Sequence, residues 1–208
     1  MQPTQYLKTI EEILQEVRED KKDNPSTTSF KFKTDLWNFF SEIPESKSMR
    51  CAEFGTHKGQ TTRVLSYLFD YVYTINLPKH FTEAELLNKD RENIRYCGMD
   101  LYNQPIDELF PHKETNVFFI DANHEFDCVM SDFSRSLEFK YNEEFPRYFV
   151  FDDYGLFSRT VYQAVNQLIR IGRLEKVCYL GHPPRHSFGG HPERILQDHE
   201  GIILKLKA

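Results

Sequence analysis

Two stretches of the chain place carboxylates where short apolar runs end. VFFIDANHEFD carries Asp121 with His124 three residues later, and YFVFDDYG carries Asp152 and Asp153. If both runs are neighbouring strands, three acids meet at their ends, where like charges repel strongly unless protonated or bound to a cation. An oxygen-only set favours Mg²⁺, Mn²⁺ or Ca²⁺ over zinc, and a Mg²⁺ held by few carboxylates keeps positions open for water or substrate hydroxyls. His124, at the mouth of the first run, would stand beside an ion-bound hydroxyl and remove its proton. A plainer reading of the same residues makes Asp121 and Asp152 caps of the following helices and His124 a surface histidine.

A third stretch, AEFGTHKGQTT, puts Gly55 and Gly59 around a turn into a helix, with Glu53 as an acceptor at the same edge. Missing side chains there let backbone N–H groups approach a ligand, although a tight strand-to-helix turn has the same composition. The spacing is not G-x-G-x-x-G, which favours a ligand without a dinucleotide pyrophosphate. Lesser candidates are Tyr154, placed either to meet an acceptor or to pack in the core, and Arg159, which reaches an anionic group or only the helix face. His182, His186 and His191 fall in GHPPRHSFGGHP, residues 181–192, which reads as a second metal site, a lid or a solvated hairpin loop.

The elements needed to position these residues are legible from periodicity. Candidate strands are Arg50–Phe54, Tyr71–Asn76, Ile94–Gly98, Asn116–Asp121, Arg147–Asp152, Lys176–Leu180 and Ile202–Lys205, and helical patterns fall at 59–69, 82–91, 104–110, 125–141 and 158–172. Alternation of this kind predicts βαβ units, a mostly parallel seven-stranded α/β sheet with helices on both faces, and an antiparallel last strand where no helix intervenes. In such sheets ligands bind beyond the carboxyl ends of the strands. Ahead of the sheet lies an N-terminal helical extension. Tyr6, Leu7, Ile10, Ile13, Leu14 and Val17 recur at helical spacing, and a second helix is expected with Thr34 as N-cap and Leu36, Trp37, Phe39, Phe40 and Ile43 as its apolar face.

The 208 residues suffice for one compact domain, and 39% hydrophobic with 28% charged residues excludes disorder and collagen-like structure. A net charge of −6 argues against nucleic acid as a partner. No window approaches the roughly 20 apolar residues of a membrane span, and the early charges of MQPTQYLKTIEE are unlike a signal peptide, so a cytoplasmic location is expected. Cys51, Cys97, Cys128 and Cys178 are too scattered for a zinc knuckle or a disulfide framework and read as reduced, mostly buried thiols.

Together, AEFGTHKGQTT, YVYTIN, FIDANHEFDCVMSDF, FVFDDYG and TVYQAVNQL resemble the class I S-adenosylmethionine-dependent methyltransferases. More narrowly they resemble the metal-dependent O-methyltransferases of sugar hydroxyls, of the macrocin and mycinamicin type. The resemblance covers roughly residues 50–206. It implies a Rossmann-like methyltransferase domain over 50–208 behind an extension over 1–49, S-adenosylmethionine with Mg²⁺ or Mn²⁺, and a sugar diol as acceptor. Carried over by residue, Glu53, Gly55, Thr56, Gly59 and Thr61 belong to the cofactor turn, Asp100 meets the adenine edge, and Asp121 also faces the cofactor. Asp121, Asp152 and Asp153 hold the metal, and His124 is the general base, with Asp121 beside it. Asn76 departs from the pattern, because most members place there an acid that accepts both ribose hydroxyl protons. A narrower expectation is a viral or bacterial enzyme that methylates a deoxysugar such as rhamnose, in the host cytoplasm if virus-encoded, as a domain of a larger glycan-modifying protein.

Competing expectations are a catechol or phenol methyltransferase, which usually carries lysine where this chain has His124, a metal-dependent glycosyltransferase, and a non-catalytic cofactor-binding module, for which Asn76 is the main support.

Overall fold

The fold is described from a computed structural model, for residues 8–17, 28–106, 114–155, 160–182 and 199–207. In chain order the elements are α1 (Ile10–Glu16), α2 (Phe30–Ser41), β1 (Arg50–Phe54), α3 (Gln60–Leu68), β2 (Tyr71–Asn76), α4 (Thr82–Leu87), β3 (Ile94–Gly98), β4 (Val117–Ile120), α5 (Phe126–Ser136), β5 (Tyr148–Phe151), α6 (Val161–Arg170), β6 (Leu174–Leu180) and β7 (Gly201–Leu206). The seven strands form one sheet of order β3-β2-β1-β4-β5-β7-β6. β1 to β5 pair in parallel, and β7 runs antiparallel to both β5 and β6.

Alternation along each strand divides the core between the two faces. In β4, Val117 and Phe119 join Cys51, Val72, Val150 and Ile203 beneath α1, α2 and α3, whereas Phe118 and Ile120 join Phe54, Phe149 and Phe151 beneath α5 and α6. The extension shares this core: Phe32, Leu36 and Phe40 of α2 are fully buried, and Phe32 meets Phe119 edge-on at 5.9 Å. Each large ring buried this way contributes on the order of 2 kcal/mol through the area it removes from water. Phe32, Phe40, Phe54, Phe118, Phe119, Phe149 and Phe151 thus pack between sheet and helices.

Several boundaries differ from their sequence expectation for local reasons. α2 starts earlier than expected, capped by Ser29, whose Oγ accepts from the Phe32 N–H at 3.0 Å. Thr34 lies inside the helix and its hydroxyl donates to the Phe30 carbonyl, so it is not the cap. α4 stops at Leu87 because the Asn88 side chain turns back onto the Ala84 and Gly59 carbonyls. α5 stops at Ser136, where the Ser136 hydroxyl bonds the Phe133 carbonyl and Phe139 folds in beside Phe54 and Phe118. Residues 104–106 are turn and bend, not helix, and the remainder of the pattern to 110 lies outside the described residues. Pro105 is ill suited to that segment's interior, and the Asp100 carboxylate organises the turn before it by accepting from the Tyr102 N–H and the Asn103 amide.

All four cysteines are free thiols, Cys51 and Cys97 buried and the other two half-buried. No helix among the described residues is long and apolar enough to cross a membrane.

Candidate active site

Strand order reverses between β1 and β4, and a crevice opens there at the carboxyl ends of the strands. On its β1 side Gly55 takes φ +99° and donates to the Ile75 carbonyl, while the Asp121 N–H, at the end of β4, donates to the Phe54 carbonyl at 2.8 Å. The two chains approach so closely that a Cβ on Gly55 would lie 2.1 Å from the Asp121 carbonyl oxygen. Gly59, at φ +76°, precedes α3, and a Cβ there would meet Ala84 and Asn88 at 2.7 Å. Both glycines are therefore required by space as well as by backbone conformation.

On the other side His124 Nε2 lies 3.0 Å from Asp121 Oδ1 and 3.4 Å from Asp153 Oδ2. The His124 carbonyl accepts from both the N–H and the hydroxyl of Thr160 at the head of α6, which fixes the loop that carries the imidazole. Asp153 holds a left-handed backbone, φ +55°, costly for a non-glycine residue, which turns its carboxylate toward the histidine. Neither Asp121 nor Asp152 caps a helix, because the positions preceding α5 and α6 belong to Glu125 and Thr160. His124 is not a surface histidine, its side chain being 17% exposed.

Glu53, Gly55, Thr56, Gly59, Thr61, Asn76, Asp100, Asp121, His124, Asp152 and Asp153 all line one cavity of about 1100 Å³. That is room for a cofactor and an acceptor side by side.

Known protein-family profiles give no match to this chain, and neither do curated protein sequences. Solved structures do. The O-methyltransferase TomG from Streptomyces achromogenes, determined with SAM, matches with a TM-score of 0.59 at 14% identity, over 97% of this chain and 92% of that one. The tRNA (m1A58) methyltransferase TrmI from Aquifex aeolicus matches at 0.56 and 18% identity, over 97% of this chain and 77% of the other. Aeropyrum pernix fibrillarin, with natively bound S-adenosyl-L-methionine, matches at 0.53 and 16% identity, over 79% and 69%. The chain has the class I methyltransferase fold.

Within that fold the individual side chains are committed to different tasks. Glu53 is 1% exposed, and its Oε2 accepts from the Thr62 and Thr74 hydroxyls, each at 2.6 Å, so it braces the wall beneath the glycine turn. The Thr56 and Thr74 hydroxyls are 2.6 Å apart, and Thr61 bonds Thr28 at the same distance. Asn76 uses its side-chain carbonyl on the Leu77 N–H, and both Asp100 oxygens serve their own turn. Tyr154 packs in the core against Tyr162 and Tyr179 and does not reach the cavity. His182 lies at a separate surface hollow between α2 and β6, while His186, His191 and Arg159 lie outside the described residues.

The acidic edge is richer than the sequence suggested. Glu200, 5% exposed, lines the same cavity as Asp152 and Asp153 and was missed because it stands outside every apolar run. The signal lay in the antiparallel last strand. With Phe151 paired to Ile202, the same register carried past the strand ends sets Asp152 opposite Gly201 and Asp153 opposite Glu200. Asp152 is 5% exposed and its Oδ1 has no hydrogen-bond partner among the described residues. Burial, then the charges of Asp121, Asp153 and Glu200, push its carboxyl well above the usual range. Burial and Asp153 likewise raise Glu200 to about 7, against the opposing bonds from Ser29. Among the described residues no three His, Cys, Asp or Glu side chains are already arranged to hold a metal ion. Asp121 Oδ1 and Asp153 Oδ2 instead converge on His124 Nε2.

Buried acids give this fold an unusual pH dependence. Burial pushes Glu53 from 4.5 up to about 8 and Asp132 from 3.8 up to about 7. The folded chain therefore binds more protons than the unfolded chain between those limits, and stability falls as pH rises through that window. Urea midpoints should decrease from pH 5 to 8.5, with Glu53 contributing on the order of a few kcal/mol. The Glu53→Gln variant, whose amide carbonyl can still accept from Thr62 and Thr74, should make the slope measurably shallower by removing the Glu53 share and leaving that of Asp132 and Glu200. A wild-type midpoint that rises over this range would contradict the assignment.

Proposed function

We propose that this protein is an S-adenosylmethionine-dependent O-methyltransferase whose acceptor is a sugar hydroxyl. The observation that carries the reading is the Asp121–His124–Asp153 cluster, set in the same cavity as the Gly55–Gly59 turn. An acyl transfer through an acyl-enzyme would find no serine or cysteine nucleophile among the residues of this cavity. Methyl transfer needs none, because the acceptor oxygen is itself the nucleophile.

S-adenosylmethionine would lie along the wall made by Glu53, Gly55, Thr56, Gly59, Thr61, Asn76 and Asp100, supplying a methyl group on a positively charged sulfur. Glycines 55 and 59 leave room for it, and Glu53 keeps the turn in shape through Thr62 and Thr74. His124 Nε2 faces the Asp121 and Asp153 carboxylates, and the imidazole so placed would act as the general base that takes the proton of the acceptor hydroxyl. The two carboxylates orient the ring and favour the imidazolium that results. With that proton held on His124, the acceptor oxygen would be free to take the methyl group as its bond to the sulfonium sulfur breaks and the neutral thioether leaves, with no covalent enzyme intermediate.

Asp121, Asp152 and Asp153 suit a hard divalent cation in donor type, and the orphaned Asp152 Oδ1 is an oxygen in need of one. Mg²⁺ or Mn²⁺ held there would lower the pKa of a vicinal diol and neutralise part of the acidic edge. A small diol suits this edge better than an RNA phosphate backbone, which three carboxylates would repel.

Incubation with labelled S-adenosylmethionine and a panel of methyl glycosides should give transfer that stops with EDTA and returns with Mg²⁺. Asp152→Ala should lower the metal-supported rate at least about a hundredfold. Transfer indifferent to both chelation and that substitution would remove the metal from the reading. Tight S-adenosylhomocysteine binding with no methylation of any glycoside or catechol would favour a non-catalytic binding module, the reading to which Asn76 and Asp100, each engaged in its own turn, lend some weight.

A further inference from the structure

Beyond the acids and the histidine, the cavity has a wall supplied by residues preceding the sheet. Thr28, 3% exposed, lines it between the cofactor turn and the acidic edge. Its hydroxyl lies 2.6 Å from that of Thr61 in the first turn of α3. Its carbonyl accepts from Lys33 Nζ, a lysine buried to 0% exposure. On the next residue, the Ser29 N–H donates to Glu200 Oε1 at 2.7 Å and the Ser29 hydroxyl donates to Oε2. Glu200 is itself anchored through its backbone, the N–H on the Leu180 carbonyl and the carbonyl accepting from Gly155, just past Asp153.

The surrounding chain is shaped to admit this contact. Gly181 takes φ +72°, and a Cβ on it would stand 2.6 Å from Glu200 Oε2. On Gly201 a Cβ would lie 2.2 Å from the Phe32 ring, three residues along α2 from Ser29. Two glycines thus make room on adjacent strands for the carboxylate and for the helix that it grips. One continuous set of bonds, Thr61 to Thr28, Ser29 and Glu200, crosses from the α3 side of the cavity to the β5 side.

We propose that Thr28 forms part of the acceptor-side wall of the cavity and that Glu200, acting through Ser29, is the positioning residue that holds it there. The proposal rests on the methyl-transfer reading above and adds to it a determinant of acceptor binding drawn from the N-terminal extension. Glu200 touches neither the methyl group nor the hydroxyl that receives it; it acts through Ser29. Its loss should therefore weaken acceptor binding and leave the cofactor turn, which Glu53 braces separately, in place.

The test compares Glu200→Ala and Glu200→Gln in the full chain. Loss of a charge-assisted pair of hydrogen bonds should raise KM about tenfold for the methyl glycoside that the panel selects, with kcat changed less than about threefold. S-adenosylhomocysteine affinity should stay within about twofold in calorimetry, and amide hydrogen exchange over residues 28–33 should quicken about tenfold or more. Gln, which can accept from the Ser29 N–H and donate to its hydroxyl, should restore most of both effects. If Glu200→Ala leaves KM and exchange unchanged, or weakens S-adenosylhomocysteine as much as the glycoside, the proposal fails while the methyl-transfer reading stands. If wild-type protein binds S-adenosylhomocysteine but turns over no glycoside, the sugar reading fails, and the acceptor wall with it. Should Glu200→Ala not fold, Ser29→Ala, which removes one of the two bonds, is expected to show the same direction at smaller size.

Discussion

His124→Gln should lower kcat for methyl transfer by roughly two to four orders of magnitude, the usual worth of a positioned general base. Cofactor affinity should stay within about twofold, since the imidazole faces Asp121 and Asp153 and the glycine turn is held by other residues. Glutamine can still donate to the two carboxylates, so the fold of the edge is preserved and the deficit reports on the missing base. The measurement is kcat together with S-adenosylhomocysteine affinity in the same preparation. A variant that keeps more than about a tenth of the wild-type kcat would assign the proton to another group. Raising the pH should recover part of the lost rate, because hydroxide and the alkoxide form of the acceptor both become more available.

The second large effect concerns Gly55→Ala. The added Cβ would lie 2.1 Å from the Asp121 carbonyl oxygen and 2.6 Å from its carbonyl carbon, and the alanine would have to adopt φ +99°. Both obstacles are backbone, which cannot swing aside as a flexible side chain can. Either the β1 turn or the segment 121–124 must move, and the latter carries Asp121 and His124. Strain of this kind plus the lost strand-end bond should cost at least about 3 kcal/mol, a drop in melting temperature of roughly 6–12 °C for a chain of this size. On the proposed reading, activity should fall further than stability alone accounts for, because the glycine turn and the segment that carries His124 are pressed against each other at this one contact. Melting within about 2 °C of wild type would show that the two segments have slack that the packing does not suggest.

Much of this architecture was legible because its signals are local. β1, β2 and β3 have the limits expected from their apolar runs, since a buried strand bounded by turn residues leaves few alternative endings. The last strand was expected to be antiparallel because no helix separated it from its predecessor, and it is. Helix ends were less legible because side chains distant in sequence decide them. Asn88 closes α4 by reaching Gly59, and Ser29, not Thr34, opens α2 because Glu200 holds it from 171 positions away. Within the site, residue types pointed to Asp121, His124, Asp152 and Asp153, whose acidic runs end strands. The division of labour among them did not follow from type: that Glu53 serves the wall, that Asp100 and Asn76 are engaged in turns, and that Glu200 belongs with the acids all depend on register and burial.

The insertion of β7 between β5 and β6 also governs how the molecule can be assembled. β5 is flanked on one side by β4, made earlier, and on the other only by residues 201–206, so during synthesis its outer edge has no neighbour until the last strand emerges. β6 is in the same position, β7 being its only strand partner among the described residues. Non-local pairings of this type are slow to form, and an open apolar edge such as Tyr148–Phe151 invites association with other chains while it waits. Because Ser29 also waits for Glu200, the crevice at the strand ends takes its final form only once β7 has paired. Substitutions near β7 should therefore be felt first in yield of soluble protein, before any loss of turnover in the molecules that succeed.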